Sequence, residues 1–274
     1  NTFVDEISGS LTNLYDVSRI EVLRGPQGTL YGSNAVGGTI RNILNKPNFD
    51  GIEGNISIEI SDKELADSNG YAYNGMINIP LSDNLAMRAV FTSASDPGIY
   101  QNVATGRKDV GTQEDDEYRI MLRYENGPLT VNANYLNKER YDFGQKEKGN
   151  ADKPGTSDIV DPNCAYDASW YYGDTCTRVY ATAGGDLTGY DPQLAFYSFQ
   201  DEIYWVDTEV MTVNVQYDFK NVSAKLIYAD YDFKERAITD WSRIDTDDLF
   251  KDPLYYFGDD TSETTEFRLS STSD

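Results

Sequence analysis

The side chains best suited to catalysis are scarce in this sequence. It contains no histidine, so it lacks the usual general base, any Ser-His-Asp or Cys-His arrangement, and the commonest transition-metal ligand. Its two cysteines, Cys164 and Cys176, lie close together in a polar stretch. A disulfide in an oxidising compartment fits that spacing, and two free thiols are the alternative. We therefore predict that the chain is not an enzyme, and we expect no catalytic residue, no cofactor and no metal.

Acidic residues dominate the charge of the chain. The 46 Asp and Glu residues outnumber the 23 Lys and Arg residues, which gives a net charge of −23. Phosphate would be repelled, which argues against nucleic acid as a partner. One acidic run could hold Ca²⁺ through oxygen ligands, although a solvated loop face is the simpler interpretation. The members of this run are Asp245, Asp247, Asp248, Asp252, Asp259 and Asp260.

Tyrosine is unusually frequent, with 21 residues in 274. Its apolar ring and polar tip favour membrane interfaces and binding surfaces. Trp170, Tyr171 and Tyr172 follow one another in a long polar stretch. Their rings could stack on a sugar or an aromatic catecholate, and packing of the loop onto itself is the alternative. We take these three residues as candidate ligand contacts.

The elements that would position these residues are β-strands. From Gly51 onward, apolar and polar residues alternate with period two, which gives each strand one apolar side. No apolar run approaches the ~18 residues of a transmembrane helix, but barrel strands hide their apolar residues in alternation. We predict eight strands, with cores at 52–60, 71–81, 85–91, 117–124, 129–135, 211–219, 222–228 and 267–269.

The connections between the strands distinguish a membrane barrel from other β folds. Short turns are predicted at 82–84, 126–128 and 220–221, and long polar connections at 62–70, 96–116, 141–201 and 236–263. An up-and-down barrel in an outer membrane has short periplasmic turns and long outer loops. A soluble sandwich or propeller shares the alternation. The strict alternation of short and long connections favours the membrane barrel.

Residues 1–50 form a unit of different character, Gly-rich and with balanced charge. Gly25, Gly28 and Gly32 permit positive φ angles and close backbone approach, and Pro26 stiffens the turn. This part therefore reads as a small globular unit with a compact loop.

The segment from residue 19 to residue 47 resembles the end of the plug domain of TonB-dependent receptors. Three elements carry the resemblance in the family's order and spacing: EVLRGP at 21–26, LYG at 30–32 and GGTI at 37–40. The predicted motif residues are Glu21, Arg24, Gly25, Pro26, Gly28, Leu30, Tyr31, Gly32, Gly37 and Gly38. The resemblance implies that Arg24 pairs with an acidic residue of the inner barrel wall, and an exposed turn arginine is the alternative.

The resemblance also implies a mainly β fold. Residues 1–50 would be the C-terminal part of a small α+β plug domain, and residues 51–274 about eight strands of an antiparallel transmembrane β-barrel of 22 strands. We expect the chain to be part of a longer receptor, whose energy-coupling TonB box would precede Asn1. The expected location is the outer membrane of a Gram-negative bacterium.

The implied function is the energised uptake of a scarce ligand, with a ferric siderophore as the first candidate and an oligosaccharide, cobalamin or another nutrient as alternatives. The implied partners are TonB with its inner-membrane complex, outer-membrane lipid and the iron chelate, and the receptor would be a monomer. Two rivals come from other classes. A porin-type channel would lack the plug motif, and a soluble acidic carbohydrate-binding β protein would stay outside the membrane.

Overall fold

The described part of the chain consists of β-strands and connecting segments. The structure, a computed structural model, describes residues 2–9, 11, 13–25, 37–102, 105–144, 195–196, 201–239 and 254–271. Its strands are β1 (Thr2–Val4), β2 (Ile7–Ser8), β3 (Val17–Arg24), β4 (Gly38–Leu44), β5 (Glu53–Ser61), β6 (Gly70–Pro80), β7 (Leu85–Asp96), β8 (Gln101–Asn102), β9 (Thr112–Asn126), β10 (Leu129–Phe143), β11 (Ala195–Phe196), β12 (Ile203–Asp218), β13 (Val222–Thr239) and β14 (Leu254–Ser271). Within these ranges no helix is long and apolar enough to cross a membrane.

Eight strands form one antiparallel sheet, which confirms the predicted fold class. Their order is β5, β6, β7, β9, β10, β12, β13 and β14, so that each strand pairs with its neighbours along the chain. Strands β5 and β14 lie at opposite edges and do not pair with each other. The described residues therefore form an open sheet, as expected for part of a larger barrel rather than for a closed barrel of eight strands.

Short turns join the strands at one end of the sheet. Residues 81–84 connect β6 to β7, residues 127–128 connect β9 to β10, and residues 219–221 connect β12 to β13. Gly127 has a φ of 57°, a left-handed conformation that glycine adopts without strain. The strand ends that lead to the long connections are at the opposite end of the sheet, so the two ends differ as the sequence predicted.

The strands reach further toward the long connections than their alternation indicated. β9 begins at Thr112, β10 continues to Phe143, β13 continues to Thr239 and β14 begins at Leu254, so the predicted connections at 96–116, 141–201 and 236–263 were too long. β12 begins at Ile203, eight residues before its predicted core at 211–219. These extensions do not keep the alternation, because β12 begins with four consecutive apolar or aromatic residues at 203–206 and β14 with four more at 254–257. The backbone ladder nevertheless continues, from Thr239 opposite Leu254 to Val222 opposite Ser271.

One face of the large sheet carries a band of exposed apolar side chains. Its members include Ile77, Phe91, Tyr118, Ile120, Leu122, Tyr135, Met211, Tyr217, Leu226, Phe267 and Leu269. From Leu129 to Tyr135, strand β10 covers roughly 20 Å at about 3.3 Å per residue, close to the ~25 Å apolar band of outer-membrane barrels. At the rim of the band, the Tyr135 hydroxyl donates a 3.1 Å hydrogen bond to Glu209. The band has the height and the Tyr-bearing rim of a lipid-facing surface.

The small sheet packs against the other face of the large one. Its order is β2-β1-β4-β3, with β1 and β4 parallel and the other pairs antiparallel. Leu44 of β4 is buried together with Val90 of β7 and Met121 of β9. These three side chains form the apolar centre of the contact, and the ion pairs described below surround it.

Candidate functional site

A buried ion pair joins the two sheets at the turn formed by Tyr15 and Asp16. The Asp16 carboxylate accepts two hydrogen bonds from the guanidinium of Arg88 in β7, one of them 2.8 Å long from Nε. A third hydrogen bond, of 2.9 Å, comes from the side-chain amide of Asn45. The side chains of Arg88 and Asp16 are only 6% and 4% exposed. Each of the two buried charges is therefore neutralised by its partner within the contact between the sheets.

Arg119 of β9 makes a second contact with the same turn. Its guanidinium donates to the carbonyl of Tyr15 and lies 3.1 Å from the carboxylate of Glu117. The side chains of Arg119 and Glu117 are enclosed, at 0% and 1% exposure. Asp16 has a φ of 58°, a left-handed conformation that Asp tolerates better than most residues. We call the large sheet the wall. Two of its arginines, Arg88 and Arg119, thus hold a turn of uncommon backbone geometry.

Neutral hydrogen bonds extend this contact along β5 and β6. The Tyr15 hydroxyl donates to Asn55, whose side-chain and main-chain oxygens lie 2.9 Å and 3.2 Å away. Burial raises the pKa of Tyr15 above its ordinary value, which keeps this donor protonated. The amide nitrogen of Asn78 lies 3.1 Å from the carbonyl of Asn48 and 3.0 Å from that of Gly51. The segment between β4 and β5 is therefore held to the large sheet.

The contact on the other side of the small sheet is more exposed. Glu6, which follows β1, receives a 2.7 Å hydrogen bond from Lys225 of β13, and the guanidinium of Arg268 in β14 lies 3.5 Å away. These side chains are 22% to 36% exposed. Partly exposed pairs of this kind contribute roughly 0–1 kcal/mol. The small sheet is thus anchored firmly at Asp16 and weakly at Glu6.

The ion pairs between the sheets have the opposite polarity to the one that the resemblance implied for Arg24. The wall supplies the cations and the small sheet supplies the anions. Arg24 is exposed at the end of β3 and has no ion pair with a described residue. Its neighbour Glu21 pairs within the small sheet, with Arg19 at 2.8 Å and with Arg41 at 2.7 Å. These cations, Arg19 first, lower the pKa of Glu21. The pairing of Arg24 with a wall carboxylate stays a prediction.

The glycines that flank the predicted loop have backbone conformations that suit them. Gly25 has a φ of 86° and Gly38 a φ of 142°, both in the region that side chains rarely adopt. A Cβ atom at Gly38 would lie 2.7 Å from the carbonyl oxygen of Leu23, whereas Gly37 has open space around it. The loop between them, with Pro26, Gly28, Leu30, Tyr31 and Gly32, lies outside the described residues.

Several other predicted sites also lie outside the described residues. These are Trp170, Tyr171, Tyr172, Cys164, Cys176, Asp245, Asp247, Asp248 and Asp252. The carboxylate of Asp259 is described and lies 2.6 Å from the guanidinium of Arg236. Elsewhere in the described ranges, no three His, Cys, Asp or Glu side chains come together in a group that could hold a metal ion.

The comparison with protein families decides what the small sheet is. Residues 3–39 match the sequence profile of the TonB-dependent Receptor Plug Domain, a range that includes the turn at Tyr15 and Asp16. Residues 3–39 are thus similar to the plug domain of TonB-dependent receptors. The Asp16 contact is therefore a contact between residues of this plug-like segment and the sheet that follows them.

Two curated relatives support the assignment over part of their length. The chain is 37% identical over 81 residues to the iron-regulated outer membrane virulence protein of Vibrio cholerae, an alignment that spans 29% of this chain and 12% of that protein. It is 35% identical over 129 residues to the pesticin receptor of Yersinia pestis, spanning 44% of this chain and 18% of that protein. The matched part of the chain is thus a small share of each relative.

Solved structures support the fold over the whole chain. The ferric yersiniabactin uptake receptor of Yersinia pestis superimposes with a TM-score of 0.69 at 18% identity, covering 100% of this chain and 37% of that one. The ferripyoverdine receptor of Pseudomonas aeruginosa gives a TM-score of 0.60 at 18% identity, covering 98% and 33%. Both likenesses confirm the barrel architecture of the large sheet.

Sequence reasoning missed the residues that join the plug to the wall. Arg119 and Arg123 lie on the polar side of the predicted strand core at 117–124, and Asp16 lies in the unit of balanced charge at 1–50, but no feature of the sequence connects them. Arg88 was not singled out. The available signal was the position of all three arginines on the polar side of neighbouring strands, where an unpaired charge would be costly.

Proposed function

We propose that the receptor is an outer-membrane protein that takes up a ferric siderophore in a process energised by TonB. One observation carries the proposal: a plug segment is clamped to the polar face of a sheet whose other face is an apolar band. A barrel needs its apolar face toward lipid, and a plug on the polar face would obstruct the lumen. Residues 1–50 would belong to the plug domain and residues 51–274 to the barrel.

The partners follow from the same proposal. TonB, driven by its inner-membrane complex, would act on the plug from the periplasmic side, where the short turns lie. Lipid of the outer membrane would cover the apolar band, and the receptor would work as a monomer. The firm anchor at Asp16 and the weak one at Glu6 support a plug that can be displaced without losing its place on the wall.

The names of the relatives support iron chelates as the cargo. They include an iron-regulated outer membrane protein and a ferric yersiniabactin uptake receptor. We propose a ferric siderophore as the transported ligand and no catalytic step. Trp170, Tyr171 and Tyr172 are the proposed ligand contacts in the long outer connection, because aromatic rings can stack on the aromatic groups of such chelates.

Uptake of radioactive iron tests the proposal. The full-length receptor is expressed in a Gram-negative host strain that lacks its own siderophore receptors, with and without a functional TonB. Cells are given ⁵⁵Fe-yersiniabactin, ⁵⁵Fe-enterobactin or ⁵⁵Fe-pyoverdine. We expect at least one chelate to accumulate only in cells with TonB. No accumulation of any chelate, together with TonB-dependent uptake of an oligosaccharide, would replace iron with a sugar as the cargo.

A further inference from the structure

A cavity of about 370 Å³ separates the plug from part of the wall, on the weakly anchored side. Residues of β1 and β2 and the segment between them form one side of it. Strands β10, β12 and β13 form the other side, with Asn134, Thr208 and Asn214 among the lining residues. Small-molecule sites typically occupy 300–1,000 Å³. This cavity is therefore large enough to hold more than isolated water molecules.

Three buried polar atoms of residues that line this cavity have no hydrogen-bond partner among the described residues. They are Glu6 Oε2, Asn134 Oδ1 and Asn214 Oδ1. Thr208, which is only 2% exposed, also lines the cavity, and its hydroxyl interacts with Tyr231. Leaving a buried polar atom unpaired is unfavourable. Three such atoms around a single space indicate a guest that supplies hydrogen bonds.

Apolar side chains complete the lining. Val206 and Val210 of β12, Leu136 of β10 and Phe233 of β13 face the same space. The rings of Tyr231 and Phe233 are parallel to within 7°, with centroids 6.4 Å apart. Apolar surface beside separate hydrogen-bonding atoms suits a molecule that has both C–H faces and hydroxyl groups.

We propose that this cavity binds a small neutral polyol, such as a monosaccharide, inside the receptor. A hydroxyl group both donates and accepts, so it can satisfy a carboxylate, a threonine and an amide in either orientation. Two acidic residues, Asp5 and Glu6, line the cavity against one basic residue, Lys138, which disfavours an anion. One oxygen of Glu6 is engaged by Lys225, and the other has no hydrogen-bond partner among the described residues. The site rests on the proposed function only for its membrane setting, and it is separate from the outer connections that would select the iron chelate.

Binding is measured on the purified full-length receptor, without TonB, in lauryldimethylamine oxide, a detergent that has no sugar head group. Glucose is the probe, and saturation-transfer NMR is the readout. We expect a transfer signal that falls at least five-fold in the Asn134→Leu/Asn214→Leu variant. Asn137→Leu is the matched control, because Asn137 lies in the same strand as Asn134 but does not line the cavity. No signal for the unaltered receptor, or an equal signal in the double variant, would overturn the proposal.

A crystal structure of the unaltered receptor soaked in glucose does not depend on the folding of a variant. We expect density for a sugar ring within hydrogen-bond distance of Thr208 and at least one of the two asparagines. A cavity that holds water only, or one closed by the surrounding side chains, would contradict the polyol site. TonB-dependent iron uptake is measured separately in cells, so failure of one proposal is distinguishable from failure of the other.

Discussion

The buried pair between Asp16 and Arg88 gives the sharpest prediction for the stability of the plug segment. Asp16→Asn keeps the size of the side chain and its tolerance of a φ of 58°, but removes the negative charge. Because the pair is only 6% and 4% exposed, the guanidinium would remain in the contact without compensation. Breaking one partner of a buried pair costs about 3–5 kcal/mol. The amide oxygen still accepts a hydrogen bond, so we expect about 3 kcal/mol, the lower end of that range.

Urea unfolding of the plug segment in the full-length receptor measures this free energy. A fluorophore on Ser8→Cys, an exposed position in β2, reports the transition. Glu125→Gln is the matched control, because the pair of Arg123 and Glu125 is 31% and 38% exposed. Such a pair contributes about 0–1 kcal/mol. If Asp16→Asn cost no more than Glu125→Gln, the argument from burial would be refuted.

Three further predictions concern the plug motif and the cysteines. Gly38→Ala should destabilise the plug segment by more than about 1 kcal/mol, because a φ of 142° is strained for alanine, and the same urea assay with Gly37→Ala as control measures it. The pKa of Glu21 is lower in the folded plug than in the unfolded chain, where it is about 4.3. Glu21 should therefore stabilise the plug above that unfolded pKa, and the stabilisation should be lost as the pH falls through the folded pKa. Glu21→Gln should abolish this part of the pH dependence of the free energy of unfolding. Cys164 and Cys176 should form a disulfide worth roughly 2–3 kcal/mol, and two thiols that react with maleimide in the unreduced receptor would contradict it.

The fold could be predicted from the sequence wherever one face of a strand is apolar. The alternation in Leu129–Tyr135 and in the neighbouring strands located the strands and their apolar face, because a period of two persists where one face of a strand lies in apolar surroundings. It failed at the outer ends: along β13 the apolar side chains change from the exposed band at Leu226 to the cavity-facing side at Tyr231 and Phe233, so no single alternation marks the whole strand. There the ladder of backbone hydrogen bonds sustains the strand, and a backbone ladder leaves no pattern in the side chains.

The contacts between plug and wall were less predictable for a different physical reason. Asp16 and Arg88 are far apart in the sequence, and a long-range ion pair has no local spacing that marks it. The motif around Arg24 could be recognised because its glycines serve local turns, as Gly25 and Gly38 show. Local backbone constraints are thus written in short stretches of sequence, whereas the partner of a charge is decided by how the sheets pack.

Labelling at two adjacent positions of β9 tests the central claim most directly, that one face of the sheet meets lipid and the other holds the plug. Ile120 is 49% exposed in the apolar band, and Met121 is 3% exposed beneath the plug. In outer-membrane vesicles with the full-length receptor, Ile120→Cys should react with a lipid-confined reagent and Met121→Cys with neither a lipid-confined nor a water-soluble one. Urea that unfolds the plug should expose Met121→Cys to the water-soluble reagent. Reaction of Ile120→Cys with the water-soluble reagent, or of Met121→Cys with the lipid-confined one, would contradict the account.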